Sequence, residues 1–129
     1  MPRIKAYASP DDWLEDAGIW QRQVIDKLIA AITQAEDFEL AIRYGNLFFF
    51  HHGQCIVIRH EEERVILGFF RGKRLLATQP RLKPGGKYEL ANIVLTQQSC
   101  DVPENLTELA LQAARLNEQL GDPHNRSNY

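Results

Sequence analysis

The sequence predicts an α+β fold: a two-layer sandwich whose N-terminal and C-terminal helices pack on one face of a mostly antiparallel sheet of about four strands. Three observations predict it. Trp20, Val24, Leu28 and Ile32 recur every fourth residue, and Leu106, Leu109, Ala110, Ala113, Leu116 and Leu120 repeat the helical period near the C-terminus. Between these stripes, short apolar runs alternate with turn residues, the pattern of strands. The chain has 129 residues, enough for one hydrophobic core and too few for two.

The elements follow in order. Ser9-Pro10-Asp11-Asp12 reads as a helix start, with Ser9 as cap, Pro10 in the first helical position and two acids against the exposed amide dipoles. The expected helix covers 10–16, Gly18 interrupts it, and a longer helix runs over 19–33. Apolar runs at 47–50, 55–58 and 65–70, separated by His51-His52-Gly53 and by the polar stretch 60–63, predict a three-stranded meander. A long connection rich in Gly and Pro leads to a fourth strand over 89–95. Asp101 and Glu104 have capping-box spacing before the last helix, with Pro103 in its first turn, and Gly121 with Pro123 ends it. The domain boundaries expected are an N-terminal segment 1–9, a single domain 10–121 and a loose tail 122–129.

Composition narrows the class of function. Hydrophobic residues at 44% and charged residues at 25% suit a chain that folds unaided. No apolar run approaches the ~20 residues needed to cross a bilayer, so no membrane role is expected. Cys55 and Cys100 form neither a disulfide framework nor a C-x-x-C pair, and no basic-then-apolar leader precedes Ser9, which points to a reducing cytoplasm. A net charge of −2 argues against general nucleic-acid binding.

Trp20-Gln21 opens the long helix, and Leu28 with Ile29 follows on it; Tyr44-Gly45 precedes the meander, and Gly53 and Cys55 flank its first turn. Leu67-Gly68-Phe69-Phe70-Arg71-Gly72 and Gly85-Gly86-Lys87 complete a collinear series from about Asp12 to Leu120. In that order and spacing the chain resembles the YdhG-like family, also called domain of unknown function 1801. Two positions depart from the family pattern: Leu47 stands where members often carry Pro, and Glu89 or Leu90 where they often carry Arg. The resemblance implies a small α+β fold and no agreed reaction. Its helix–sheet–helix order is similar to that of frataxin, an analogy of fold that admits iron as a cargo and does not establish it.

The sharpest functional signal is charge segregation. Residues 71–87 contain Arg71, Lys73, Arg74, Arg81, Lys83 and Lys87 and no acid, so a +6 segment sits in a chain of net −2 and leaves −8 for the rest. Gly72, Gly85 and Gly86 would let backbone amides approach an anion within that basic field. A solvated loop kept soluble by its cations is the plainer account. The functional account is a noncatalytic binding module for an anionic small molecule or an acidic protein segment.

At the opposite pole, Asp12, Glu15 and Asp16 share a helix face, with Asp11 beside them. These acids suit a helix N-terminus, and they are also the residues on which a frataxin-like carrier would hold iron. His51, His52, Cys55 and His60 lie near turns without zinc-ligand spacing, and surface histidines are the expected reading. No nucleophile, kinase or dinucleotide motif is present, which makes a noncatalytic role the expectation. Phe48, Phe49 and Phe50 must alternate between the sheet faces, so the face away from the helices receives large aromatics too. That second apolar face needs a cover, either a loop, a ligand or another subunit, and a homodimer through the sheet face or its edge is the expectation.

Overall fold

The computed structural model describes residues 6–124. Helix α1 (Pro10–Glu15) and helix α2 (Ile19–Ala35) precede strands β1 (Glu39–Arg43), β2 (Asn46–Phe50), β3 (Gln54–Glu61) and β4 (Arg64–Phe69). A 3-10 turn (Gly72–Leu75), β5 (Lys83–Pro84), β6 (Ala91–Thr96) and helix α3 (Leu106–Leu120) complete the order. The strands form one open, fully antiparallel sheet in the order β1-β2-β3-β4-β6-β5. The α+β class agrees with the expectation; the strand count is six, not about four.

Both extra strands have a physical explanation. β1 pairs with β2 through a two-residue turn in which Tyr44 (φ 54°) and Gly45 (φ 77°) are both left-handed. That geometry suits the twist of a hairpin, although tyrosine is an unusual residue to supply it. β5 is two residues long and pairs only with β6. Its Pro84 has no N–H to donate, which fits an edge position.

Helix starts divide into one agreement and one correction. The Ser9 hydroxyl accepts from the Asp12 amide at 3.2 Å, as a cap should. α3, in contrast, starts at Leu106, and neither Asp101 nor Glu104 caps it. Asn105 stands in the cap position, yet its side chain serves the preceding loop: Nδ2 donates to the Thr78 carbonyl and Oδ1 accepts from Gln79.

One core joins the layers. Leu47, Phe49, Ile56, Ile58, Leu67 and Ile93 project from one sheet face and pack with Ile25, Leu28 and Ile32 of α2 and with Leu106, Leu109 and Ala113 of α3. Each of these Leu, Ile and Phe side chains, fully buried, contributes about 1.5–3 kcal/mol of hydrophobic transfer. Ala110, Ala113 and Ala114 keep α3 slim, and Thr107 donates to the Ala31 carbonyl of α2 at 2.9 Å. Gln21 ties α2 to the sheet by donating to the carbonyls of Glu61 and Arg64, while its Oε1 accepts from the Gly18 amide at 2.8 Å.

The other sheet face carries Phe48, Val57 and Ile66, which are buried without belonging to that core. Their cover is local. Phe48 lies 5.8 Å from Phe50, 5.5 Å from Phe70 and 6.2 Å from Tyr44 between ring centroids, and the Arg43 guanidinium sits over Phe50 at 5.5 Å. Tyr44 and Val94 on this side remain exposed.

The reading of 122–129 as a loose tail falls in part outside the described residues. In the described part Pro123 is buried, Asp122 and His124 are exposed, and Asp122 sits where a side chain on Gly53 would have to go. No helix among the described residues is long and apolar enough to cross a membrane.

Candidate functional site

The basic segment does not act as one surface. Arg71 turns inward, its side chain 1% exposed. Nε donates to Asn117 Oδ1 at 3.1 Å, Nη2 donates to the Gly121 carbonyl at 2.8 Å, and Nη1 lies 3.6 Å from Glu89 Oε2. A guanidinium in that position braces the sheet against the end of α3, so the expectation of a surface anion ligand at Arg71 is corrected. Glu89 also takes Arg74, accepting from Nε at 2.6 Å and from Nη2 at 3.2 Å. The acid that neutralises these cations stands two residues past the all-basic window. Arg81 donates to the Asp101 carbonyl at 2.9 Å. Lys73, Lys83 and Lys87 are exposed, and among the described residues none pairs with an acidic side chain.

The glycines divide in the same way. A Cβ on Gly72 would sit 2.6 Å from the Ala91 Cβ and 2.9 Å from the Ala91 nitrogen, so Gly72 lets the 3-10 turn press against β6. The Gly85 amide donates to the Leu90 carbonyl at 3.1 Å and the Lys73 amide to the Glu89 carbonyl at 2.9 Å, so both serve the loop itself. Gly86 has φ +85°, which turns the chain and lifts Lys87 and Tyr88 to the loop tip.

That tip borders a cleft of about 420 Å³, lined by Gln54, Phe70, Lys87, Tyr88, Leu90, Pro123 and His124. Phe70, Leu90, Tyr88 and Pro123 make its walls apolar; Lys87, His124 and Gln54 place an ammonium, an imidazole and an amide around it. The volume falls within the roughly 300–1,000 Å³ typical of small-molecule sites. The basic loop signal pointed to Lys87, whereas Gln54, Phe70, Pro123 and His124 join it only through the fold.

The acidic residues of α1 behave differently. Asp11, Asp12 and Glu15 are exposed, and Asp16 accepts from the Tyr7 hydroxyl at 2.6 Å. Burial, followed by that hydrogen bond and the Asp16 charge, pushes the Tyr7 phenol up to about 12. Among the described residues, the group of three or more metal-ligating side chains whose atoms converge is Glu36, His51 and Glu118, all within 4.8 Å of one another. None of Asp11, Asp12, Glu15 and Asp16 belongs to it.

Of the other residues named from turns, His52 is exposed, while His60 and Cys55 are accounted for by packing. His60 lies in β3 rather than in a turn; Nε2 is 2.9 Å from the Trp13 carbonyl oxygen and its ring is 4.4 Å from the Trp13 ring. Cys55 is buried, and burial pushes its thiol up to about 12, with the Arg71 charge pulling weakly the other way. A thiol held that high is no nucleophile at neutral pH.

Compared with known proteins, the chain matches no family model, no curated protein and no solved structure.

Proposed function

We propose that this chain is a noncatalytic binding domain of the YdhG-like kind, and that its site is the cleft at Lys87 and Tyr88. Its ligand is an anionic small molecule with a flat apolar body. One observation carries the reading: Lys87, whose ammonium has no acidic partner among the described residues, lines a cleft whose walls are Phe70, Tyr88, Leu90 and Pro123. Aromatic walls favour a planar group, and the cation favours a phosphate or carboxylate at its edge. An acidic protein segment would use the same cation but would leave the apolar walls without a partner.

Thermal-shift screening of the full chain against mononucleotides, aromatic phosphates and aromatic carboxylates tests the reading. A compound that raises the melting temperature should lose at least about tenfold in affinity on Lys87→Ala, because tenfold is ~1.4 kcal/mol and one hydrogen bond to a charged group contributes roughly 1.5–3 kcal/mol. Stabilisation by none of these compounds at millimolar concentration, or equal affinity in Lys87→Ala and Phe70→Ala, would reject the cleft as the site.

A further inference from the structure

We propose a second, separate site: Glu36, His51 and Glu118 form a binding site for one divalent first-row transition ion, zinc or ferrous iron, which Arg115 occupies in the ion's absence. The three residues come from three elements. Glu36 caps the C-terminal end of α2, His51 opens the turn between β2 and β3, and Glu118 lies in the last turn of α3. Their ligand atoms lie within 4.8 Å of one another, and His51 Nε2 is 2.6 Å from Glu118 Oε2. Imidazole with two carboxylates is a donor set that suits zinc and ferrous iron, and water can complete the shell.

The backbone holds the set in place. Asn117, the neighbour of Glu118, donates from Nδ2 to the His51 carbonyl at 3.0 Å, and the His51 amide donates to the Gly53 carbonyl at 2.8 Å. Phe38 meets the His51 ring edge-on at 6.0 Å and limits its rotation. The imidazole is therefore aimed at the two acids by groups that are not ligands, the arrangement a metal site needs to bind without reordering its scaffold.

Two carboxylates this close require a cation. Arg115 supplies one, its Nη1 lying 3.2 Å from Glu36 Oε2 and also bonded to Glu118 Oε2. The Arg115 side chain is 50% exposed and stems from a surface position on α3, so it can swing into solvent. An ion with bonds of about 2.0–2.2 Å would need His51 Nε2 and Glu118 Oε2 to separate to roughly 3.3 Å, a movement of well under 1 Å that side-chain rotation supplies. The exchange replaces a guanidinium by a doubly charged ion against the same two acids.

Arg115 makes the proposal sharply testable, because removing a competing cation should tighten metal binding. Untagged full-length protein is titrated with Co²⁺, read by visible absorption, and with Zn²⁺, read by calorimetry. One ion per chain is expected, with visible cobalt bands characteristic of protein ligation. His51→Gln and Glu118→Gln should each weaken binding at least tenfold, and Arg115→Gln should strengthen it severalfold. Circular dichroism checks each variant's fold, and Glu36→Gln, at the partly buried end of α2, replaces any variant that does not fold. Absence of binding below millimolar metal, binding unchanged in His51→Gln and Glu118→Gln, or weaker binding in Arg115→Gln would overturn the proposal. Binding lost in Asp12→Asn and retained in His51→Gln would also overturn it, by moving the ion to α1.

Discussion

Arg71 and Asn117, 46 residues apart, meet in the interior through a 3.1 Å hydrogen bond from the guanidinium Nε to the amide Oδ1. Asn117 is 1% exposed and also donates to the carbonyls of His51 (3.0 Å) and Gln54 (3.1 Å), so one amide fixes the β2–β3 turn, the β4 exit and the end of α3. Replacing it by an apolar residue strands two carbonyls and part of a buried cation. Asn117→Leu should therefore destabilise the protein by about 2–4 kcal/mol, measured by urea denaturation. A loss under about 0.5 kcal/mol would show that this junction is not a tie between the layers.

Gly72, Gly85 and Gly86 separate by what surrounds them. Gly72→Ala forces a Cβ to 2.6 Å from the Ala91 Cβ and against the Ala91 backbone, which cannot yield. Gly86→Ala meets the flexible end of Leu90 but must keep φ +85°. Gly85→Ala meets nothing closer than 3.7 Å. The expected order of destabilisation is Gly72→Ala, at roughly 2 kcal/mol or more, then Gly86→Ala near 1, then Gly85→Ala near zero. Equal melting temperatures for the three would refute it.

Thiol chemistry divides the two cysteines. Cys100 is partly exposed and should react with a chromogenic disulfide in the native protein, whereas Cys55, buried with its thiol held near 12, should react only after unfolding. Two thiols titrating at the same rate under native conditions would contradict the burial.

The same raised thiol gives a pH dependence with a definite sign. The folded chain retains the Cys55 proton where the unfolded chain, near 9, has lost it. Its contribution is complete below pH 9 and is lost as pH rises toward 12. Melting temperature should fall along that limb, and Cys55→Ala should flatten the fall.

We propose that the face bearing Phe48, Phe50 and Phe70 is a homodimer contact. Tyr44 at 72% and Val94 at 50% exposure extend its apolar area beyond what the local aromatic packing covers. Sedimentation across a concentration series should show a dimer that Val94→Lys dissociates. A monomer at tens of micromolar would mean that the self-packed aromatics suffice.

Local pattern by itself determined the class of the fold, the α2 and α3 stripes, the Ser9 cap and the three strands of the meander, because each depends on residues a few positions apart. It also marked Lys87 as an exposed cation in a basic loop. Pairing across distance lay beyond it. Glu89 cancels Arg71 and Arg74 only because the loop folds back on itself, and β1 is a strand because a tyrosine accepts a left-handed turn. The cleft wall that brings Gln54 to His124, and the convergence of Glu36, His51 and Glu118, arise where three elements end together. Such sites are set by how layers dock, and docking is governed by the buried side chains of the core, not by the polar residues that end up beside one another.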